Sequence, residues 1–162
     1  MREPNNFDEA LKEATGPNSR KVIEYSRAMY EGVKAAKLPD FTPAGWDELG
    51  KLIDTGNFVR IGNFREKVVW DQYVGLLTQW GQSTEWDITI NRVTEGDGWA
   101  IQEAYEFARY PDRDEGYDSV AVYDFGEDGR LVKLAIYLSK EEHLSSAQSH
   151  QWDWDKVGAD KA

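Results

Sequence analysis

Residues 86–139 read WDITINRVTEGDGWAIQEAYEFARYPDRDEGYDSVAVYDFGEDGRLVKLAIYLS, and the period of this stretch decides the fold. Trp86, Ile88 and Ile90 recur every second residue, the spacing that places side chains on one face of a strand. The turn residues Glu95-Gly96-Asp97-Gly98 follow, and then Trp99, Ile101, Tyr105 and Phe107 share one face of a second strand. A polar loop, Pro111–Gly116, leads to a third strand, Tyr117–Phe125, and the turn Gly126-Glu127-Asp128-Gly129 leads to a fourth, Leu131–Ser139. The pattern predicts an antiparallel meander with strands near 86–94, 99–110, 117–125 and 131–139.

Upstream the period changes to that of a helix. Ser19 stands where it can cap a helix in which Val22, Tyr25 or Ser26, Met29, Tyr30 and Val33 form one apolar stripe ending before Pro39. A short second helix follows Pro43 (Trp46, Leu49, Leu52, Ile53), then a turn at Asp54–Asn57 and a brief strand at Phe58–Ile61. From Arg65 to about Gln79, Val69, Tyr73, Leu76, Leu77 and Trp80 keep the spacing of a core-facing helix that Gly81 ends. Helices followed by a run of long strands predict an α+β fold: a curved antiparallel sheet, cone-shaped, covered by three N-terminal helices, its interior either packed solid or left as a deep pocket for a small ligand. The expected organisation is a polar N-terminal segment over 1–18, one domain over 19–139, and a polar tail over 140–162 in which Trp152 and Trp154 form an apolar anchor.

Composition narrows the function. The chain has 162 residues, with 19 Lys+Arg against 30 Asp+Glu for a net charge of −11, which disfavours nucleic acid and anionic membrane as partners. It has no cysteine, and its two histidines, His143 and His150, lie near the C-terminus, so neither a thiolate nor a histidine-rich metal site is expected. No phosphate loop or dinucleotide fingerprint occurs, and no cofactor is expected. The start has no apolar run suited to a signal sequence, and a cytoplasmic location is expected. Seven Trp, eight Tyr and six Phe are a large aromatic complement for a chain of this size.

Over roughly Ser19 to Ser139 the sequence resembles the nuclear transport factor 2-like superfamily, in its SnoaL-like branch. The features that carry the resemblance are the order of elements, the stretch LIDTGNFVRIGNFREKVVWDQYVGLL (52–77), and the terminal hairpin YDSVAVYDFGEDGRLVKLAIYL (117–138) with Phe125, Gly129, Leu131 and Tyr137. The resemblance implies a cone-shaped pocket and cofactor-free acid–base chemistry on small aromatic or polycyclic molecules. It also implies a homodimer formed through the outer face of the sheet, with Val132, Leu134, Ile136 and Leu138 turned inward. Two departures matter. Ketosteroid isomerases of this fold carry a carboxylate base on the short strand, where this chain has Phe58-Val59-Arg60-Ile61. Scytalone-dehydratase-like members use two sheet histidines, and this chain has none there.

Candidate chemistry follows from face and residue type. Glu103 alternates with Trp99, Ile101, Tyr105 and Phe107, so it is read as a partly desolvated acid–base group; a structural ion pair with Arg92 or Arg109 is the competing reading. Arg60 is expected to stabilise an oxyanion, and a phenol from Tyr105, Tyr117 or Tyr25 to orient the substrate. Trp46, Trp70, Tyr73, Trp80, Trp99, Phe107, Ser119, Tyr123 and Phe125 are expected to bind it. The function expected is a lyase or isomerase acting on a polyketide, steroid-like or lignin-derived compound. The alternatives are an epoxide hydrolase or cyclase of the same fold, or a non-catalytic small-ligand-binding dimer.

Overall fold

The computed structural model describes residues 2–139. His143, His150, Trp152 and Trp154, and with them the expected tail anchor, lie outside the described residues. The chain forms α1 (Phe7–Glu13), α2 (Pro17–Ala35), a short 3-10 turn (Pro43–Trp46) running into α3 (Asp47–Gly50), β1 (Val59–Ile61), β2 (Lys67–Val69) and α4 (Trp70–Ser83). The long strands follow: β3 (Glu85–Gly96), β4 (Trp99–Arg109), β5 (Asp114–Phe125) and β6 (Leu131–Ser139). They join one six-stranded sheet in the order β2-β1-β6-β5-β4-β3, antiparallel throughout except where β1 runs parallel to β6. The α+β architecture and the meander are as the sequence predicts. No helix among the described residues is long and apolar enough to cross a membrane.

Three local readings are corrected. The first eighteen residues contain α1, whose Phe7 and Ala10 are buried against α2 and β3. Helix α2 begins at Pro17, and Ser19 is not its cap; the Glu95 carboxylate, reaching over from the end of β3, accepts hydrogen bonds from the Ser19 backbone N–H and from Ser19 Oγ. A carboxylate there satisfies helix N–H groups that would otherwise lack partners. Helix α4 starts at Trp70, not at Arg65, because Lys67–Val69 pairs with β1 across a turn closed by Gly62 N–H donating to the Glu66 carbonyl at 2.9 Å.

Helix α2 lies across the inner face of β3 and β4 and buries Val22, Ile23, Tyr25, Ser26, Met29 and Val33 at helical spacing. Its Gly32 admits Trp46, since a Cβ there would stand 2.2 Å from the indole ring. The inward residues of β4 are Ala100, Gln102, Ala104, Glu106 and Ala108, whereas Trp99, Ile101, Glu103, Tyr105 and Phe107 face outward. Alanines predominate on the concave side of β4, where α2 crosses it.

A shift of register against β3 accompanies this helix packing in turning β4 the other way from expectation. Gly96 pairs with Trp99 and Arg92 with Glu103, but Ile90 pairs with Ala104, so Asn91 is an extra residue in β3. A bulge of one residue turns every later side chain to the other face relative to its partner strand. Trp86, Ile88 and Ile90 therefore stand opposite Ala108, Glu106 and Ala104.

The free edge of β3 is covered by Asn5 and Asn6. Asn6 Oδ1 accepts from Ile90 N at 2.8 Å while its Nδ2 donates to the Ile90 carbonyl at 3.0 Å; at Ile88 the N–H donates to Asn5 Oδ1 at 3.1 Å and the carbonyl accepts from the Asn5 backbone N–H at 2.6 Å. An open edge would otherwise offer these groups to another chain. Asn6→Ala leaves two buried backbone groups unpaired and is expected to cost about 1–3 kcal/mol, read as a lower urea midpoint at unchanged m-value.

Candidate functional site

Between α2, α4 and the concave sheet lies a cavity of about 280 Å³. Its walls are aromatic (Tyr25, Tyr73, Trp80, Trp86, Tyr110, Tyr117, Tyr123), and its polar groups are Ser26, Arg60, Asn63, Glu66, Gln102 and Glu106. Phe64 and Leu76, both well exposed, stand at its rim. Among the described residues no cluster of three or more His, Asp or Glu side chains is placed to hold a metal ion.

Glu106 places a carboxyl inside this cavity. Opposed residues on antiparallel strands share a face, so Glu106 points inward with its partners Ile88 and Tyr117. Trp86 Nε1 donates to its Oε2 at 2.9 Å, the Tyr117 hydroxyl lies 3.5 Å from the same oxygen, and the Ser119 hydroxyl lies near the carboxyl. Burial raises its pKa above the usual carboxylate range; the bonds from Ser119, Trp86 and Tyr117 and the charge of Arg60 oppose that rise without cancelling it. The shift makes the ionised carboxyl a stronger base than an ordinary glutamate.

The second polar group is built from α2, α4 and β1. Tyr25 and Tyr73 bring their hydroxyls to 2.6 Å, and Tyr73 also points toward Met29 Sδ at 3.8 Å. Burial pushes both phenols above their ordinary pKa, so both keep their protons and remain donors at neutral pH. Because β1 is in register with β6, Arg60 shares the inward face of Leu134. Its guanidinium lies 5.3 Å from the centre of the Tyr73 ring, its Nη1 is 3.3 Å from Glu66 Oε1, and its buried Nε has no partner among the described residues. Glu66 also accepts from Phe64 N–H at 3.0 Å, which ties Arg60 to the rim turn. A phenol supported by a second phenol and a nearby guanidinium is suited to stabilise negative charge developing on a bound oxygen.

Of the residues singled out in the sequence, Arg60, Tyr25, Tyr73, Trp80, Tyr117 and Tyr123 line this cavity, and Ser119 is buried beside Glu106. Glu103 does not. It lies on the outer face in an ion pair with Arg92, which draws its pKa below the ordinary value. Tyr105, Trp99 and Phe107 share that outer face, Tyr105 and Trp99 being 43% and 37% exposed. Trp46 is core: it donates to Thr78 Oγ1 at 3.0 Å and packs against Phe41, away from the cavity. Trp70 packs on Phe58 and on Tyr73 from behind the wall, and Phe125 sits at the end of β5 beneath the Lys21 ammonium.

Glu106, Gln102, Trp86, Tyr110 and Glu66 were not singled out. A signal for Glu106 was present in the sequence: Ala100, Ala104 and Ala108 recur at a spacing suited to a sheet face covered by a helix, and Glu106 belongs to that series.

No family model matches the sequence, and no curated protein matches it significantly. Solved structures do resemble the fold. A protein designated a SnoaL-like polyketide cyclase from Shewanella putrefaciens superposes with a TM-score of 0.66 at 11% identity, covering 93% of this chain and 97% of that one. An LEH-like epoxide hydrolase from M. tuberculosis gives 0.53 at 15% identity over 72% and 83% of the two chains. A protein with a ketosteroid isomerase-like fold from Catenulispora acidiphila, solved with trimethylamine, gives 0.54 at 11% identity over 78% and 96%. The chain has the nuclear transport factor 2-like fold, as its sequence resemblance implies.

Proposed function

We propose that the protein is a cofactor-independent isomerase or lyase that moves a proton on carbon next to the carbonyl of a small aromatic or polycyclic ketone held in the cone. The observation that supports this most is Glu106: a carboxyl with a raised pKa, bonded to Trp86 and facing an aromatic cavity. In the ionised form Glu106 takes the proton, and the C–H electron pair moves into the carbonyl, placing charge on its oxygen. Tyr73, turning its O–H from Met29 Sδ to that oxygen with support from Tyr25 and Arg60, stabilises the enolate. Glu106 then returns the proton to another carbon, giving isomerisation, or the enolate expels a leaving group, giving elimination. About 280 Å³ is at the lower edge of ordinary ligand pockets and favours one or two rings over four.

The test is exchange. Incubated in D₂O with tetralone or acetylnaphthalene, the protein is expected to exchange the hydrogens beside the carbonyl faster than buffer does, read by proton NMR. Binding without exchange would leave a ligand-binding module. A second reading has an observation in its favour: Arg60 and two carboxylates, Glu66 and Glu106, line one cavity, an arrangement able to activate water for epoxide opening. Styrene oxide converted to diol, with no ketone exchange, would select it.

We also infer a homodimer through the outer sheet face. Trp99, Tyr105, Val120 and Tyr137 are exposed there, and Val120 is paired directly with Tyr137. Gly116 leaves room for the Tyr105 ring to lie flat along the sheet, since a Cβ there would stand 2.1 Å from the Tyr105 hydroxyl. An apolar face of this kind on a strongly charged chain marks an interaction surface.

A further inference from the structure

Phe64 lines the cavity and is nevertheless 82% exposed, the most exposed large apolar side chain among the described residues. The turn that carries it is tightly held. Gly62 N–H donates to the Glu66 carbonyl and Arg65 N–H to the Gly62 carbonyl, both at 2.9 Å, with Arg65 in the left-handed region at φ 66°. Glu66 folds back over the turn, accepting from Phe64 N–H at 3.0 Å and pairing with Arg60; a Cβ at Gly62 would push its carboxylate out of that position. On the other side Asn63 Oδ1 accepts from Leu138 N–H at 2.8 Å, which joins the turn to the end of β6. A non-glycine residue in the left-handed region is unfavourable, and so is an apolar ring held in water. The fold accepts both at the mouth of the cavity.

We propose that Phe64, Leu76 and Leu138 form an apolar collar that binds an alkyl chain, which makes the substrate class aryl alkyl ketones whose ring fills the cavity and whose chain leaves through the mouth. This rests on the reading of the cavity as a ketone site. Three elements supply the collar: the β1–β2 turn, α4 and the end of β6. Leu76 is 42% exposed and Leu138 half-buried, and both line the cavity together with Phe64. About 280 Å³ takes one or two rings and leaves no room for a long chain beside them, so a chain has to run out over the rim. The polar groups there are engaged, Asn63 with Leu138 N–H and Glu66 with Phe64 N–H and Arg60, and what the rim adds for a ligand is chiefly apolar surface. Arg60 links this rim to the interior, since its guanidinium stands 5.3 Å from the centre of the Tyr73 ring and its Nη1 reaches Glu66. A carbonyl held at Tyr73 therefore has the collar on one side, for the chain, and the aromatic walls on the other, for the ring.

The experiment measures dissociation constants for acetophenone, butyrophenone, hexanophenone and octanophenone by quenching of tryptophan fluorescence, because Trp80 and Trp86 line the cavity. The wild-type protein is expected to bind about twofold more tightly for each added methylene, less than the roughly fourfold of complete burial because the chain lies on an open rim. Phe64→Ser and Leu76→Ser are each expected to remove about tenfold of the gain at octanophenone while leaving acetophenone within about twofold. Both side chains are exposed, so the variants are expected to fold. Leu38→Ser, at a residue 58% exposed that does not line the cavity, is the control and is expected to leave the series unchanged. No gain with chain length in the wild-type protein, or a gain that Phe64→Ser and Leu76→Ser both keep, overturns the collar while leaving the proton-transfer reading in place. A gain that depends on Phe64 and Leu76 without deuterium exchange beside the carbonyl supports the collar and removes proton transfer. A gain that appears only when Trp152→Ser and Trp154→Ser are combined gives the collar to the chain's own C-terminal segment and overturns the proposal. Failure of all four ketones to bind overturns both readings.

Discussion

Glu106→Gln is expected to lower the rate of ketone proton exchange by about 10²–10⁴-fold, the usual contribution of a positioned general acid–base group, while the dissociation constant of the same ketone changes little. Glutamine keeps the shape of the side chain and an oxygen to accept from Trp86 Nε1, so the cavity is preserved and only the titrating proton is lost. The pH profile carries a second signature. Because Glu106 must be ionised to act as the base and burial raises its pKa, the rate rises with pH along a limb displaced above the ordinary carboxylate range.

Stability moves the opposite way. With its folded-state pKa above the unfolded one, Glu106 binds its proton more tightly in the native protein, so its contribution is fully present below the unfolded pKa and is lost as pH rises through the folded pKa. Glu106→Gln has no such dependence. The variant is therefore expected to gain in Tm relative to wild type as pH rises above the ordinary glutamate range. A variant that is both less active and less stable at every pH would mark Glu106 as structural.

The second large effect concerns assembly. Tyr105→Asp combined with Tyr137→Asp places two charges at the centre of the outer face and is expected to weaken dimerisation by roughly 10³-fold, as loss of two aromatic anchors does. Both side chains are already well exposed, at 43% and 60%, so the fold is expected to survive, with an unchanged far-UV circular dichroism spectrum. Sedimentation at micromolar concentration separates the outcomes: dimer for wild type and monomer for the variant. A wild-type protein that sediments as a monomer removes the dimer.

Much of the architecture was legible because it rests on local periodicity. The two-residue period of 86–139, the turn residues between its strands and the three-to-four-residue period of α2 are each carried by neighbours in sequence. Which faces of β5 and β6 turn inward was read from the family resemblance of the terminal hairpin, and Tyr117, Ser119 and Tyr123 on β5 face inward as that resemblance implies. Helix α1 was not, because only Phe7, Ala10 and Leu11 give it an apolar side and its burial depends on α2 and β3.

What the sequence determined by itself, then, is the order and type of the long elements, the sets of side chains that share a strand face, and the aromatic stock from which a pocket is lined. Which carboxylate enters that pocket was decided only in the tertiary structure. Alternation along β4 separates Glu103 from Glu106 but does not say which set faces inward, and the larger apolar side chains accompany Glu103. The extra residue at Asn91 shifts the pairing of β3 with β4 by one. Helix α2, crossing the concave face, leaves room there only for alanines and for two polar side chains, Gln102 and Glu106. Register and helix packing are relations between distant segments, and they put the hydrophobic set outside and the Glu106 carboxyl inside.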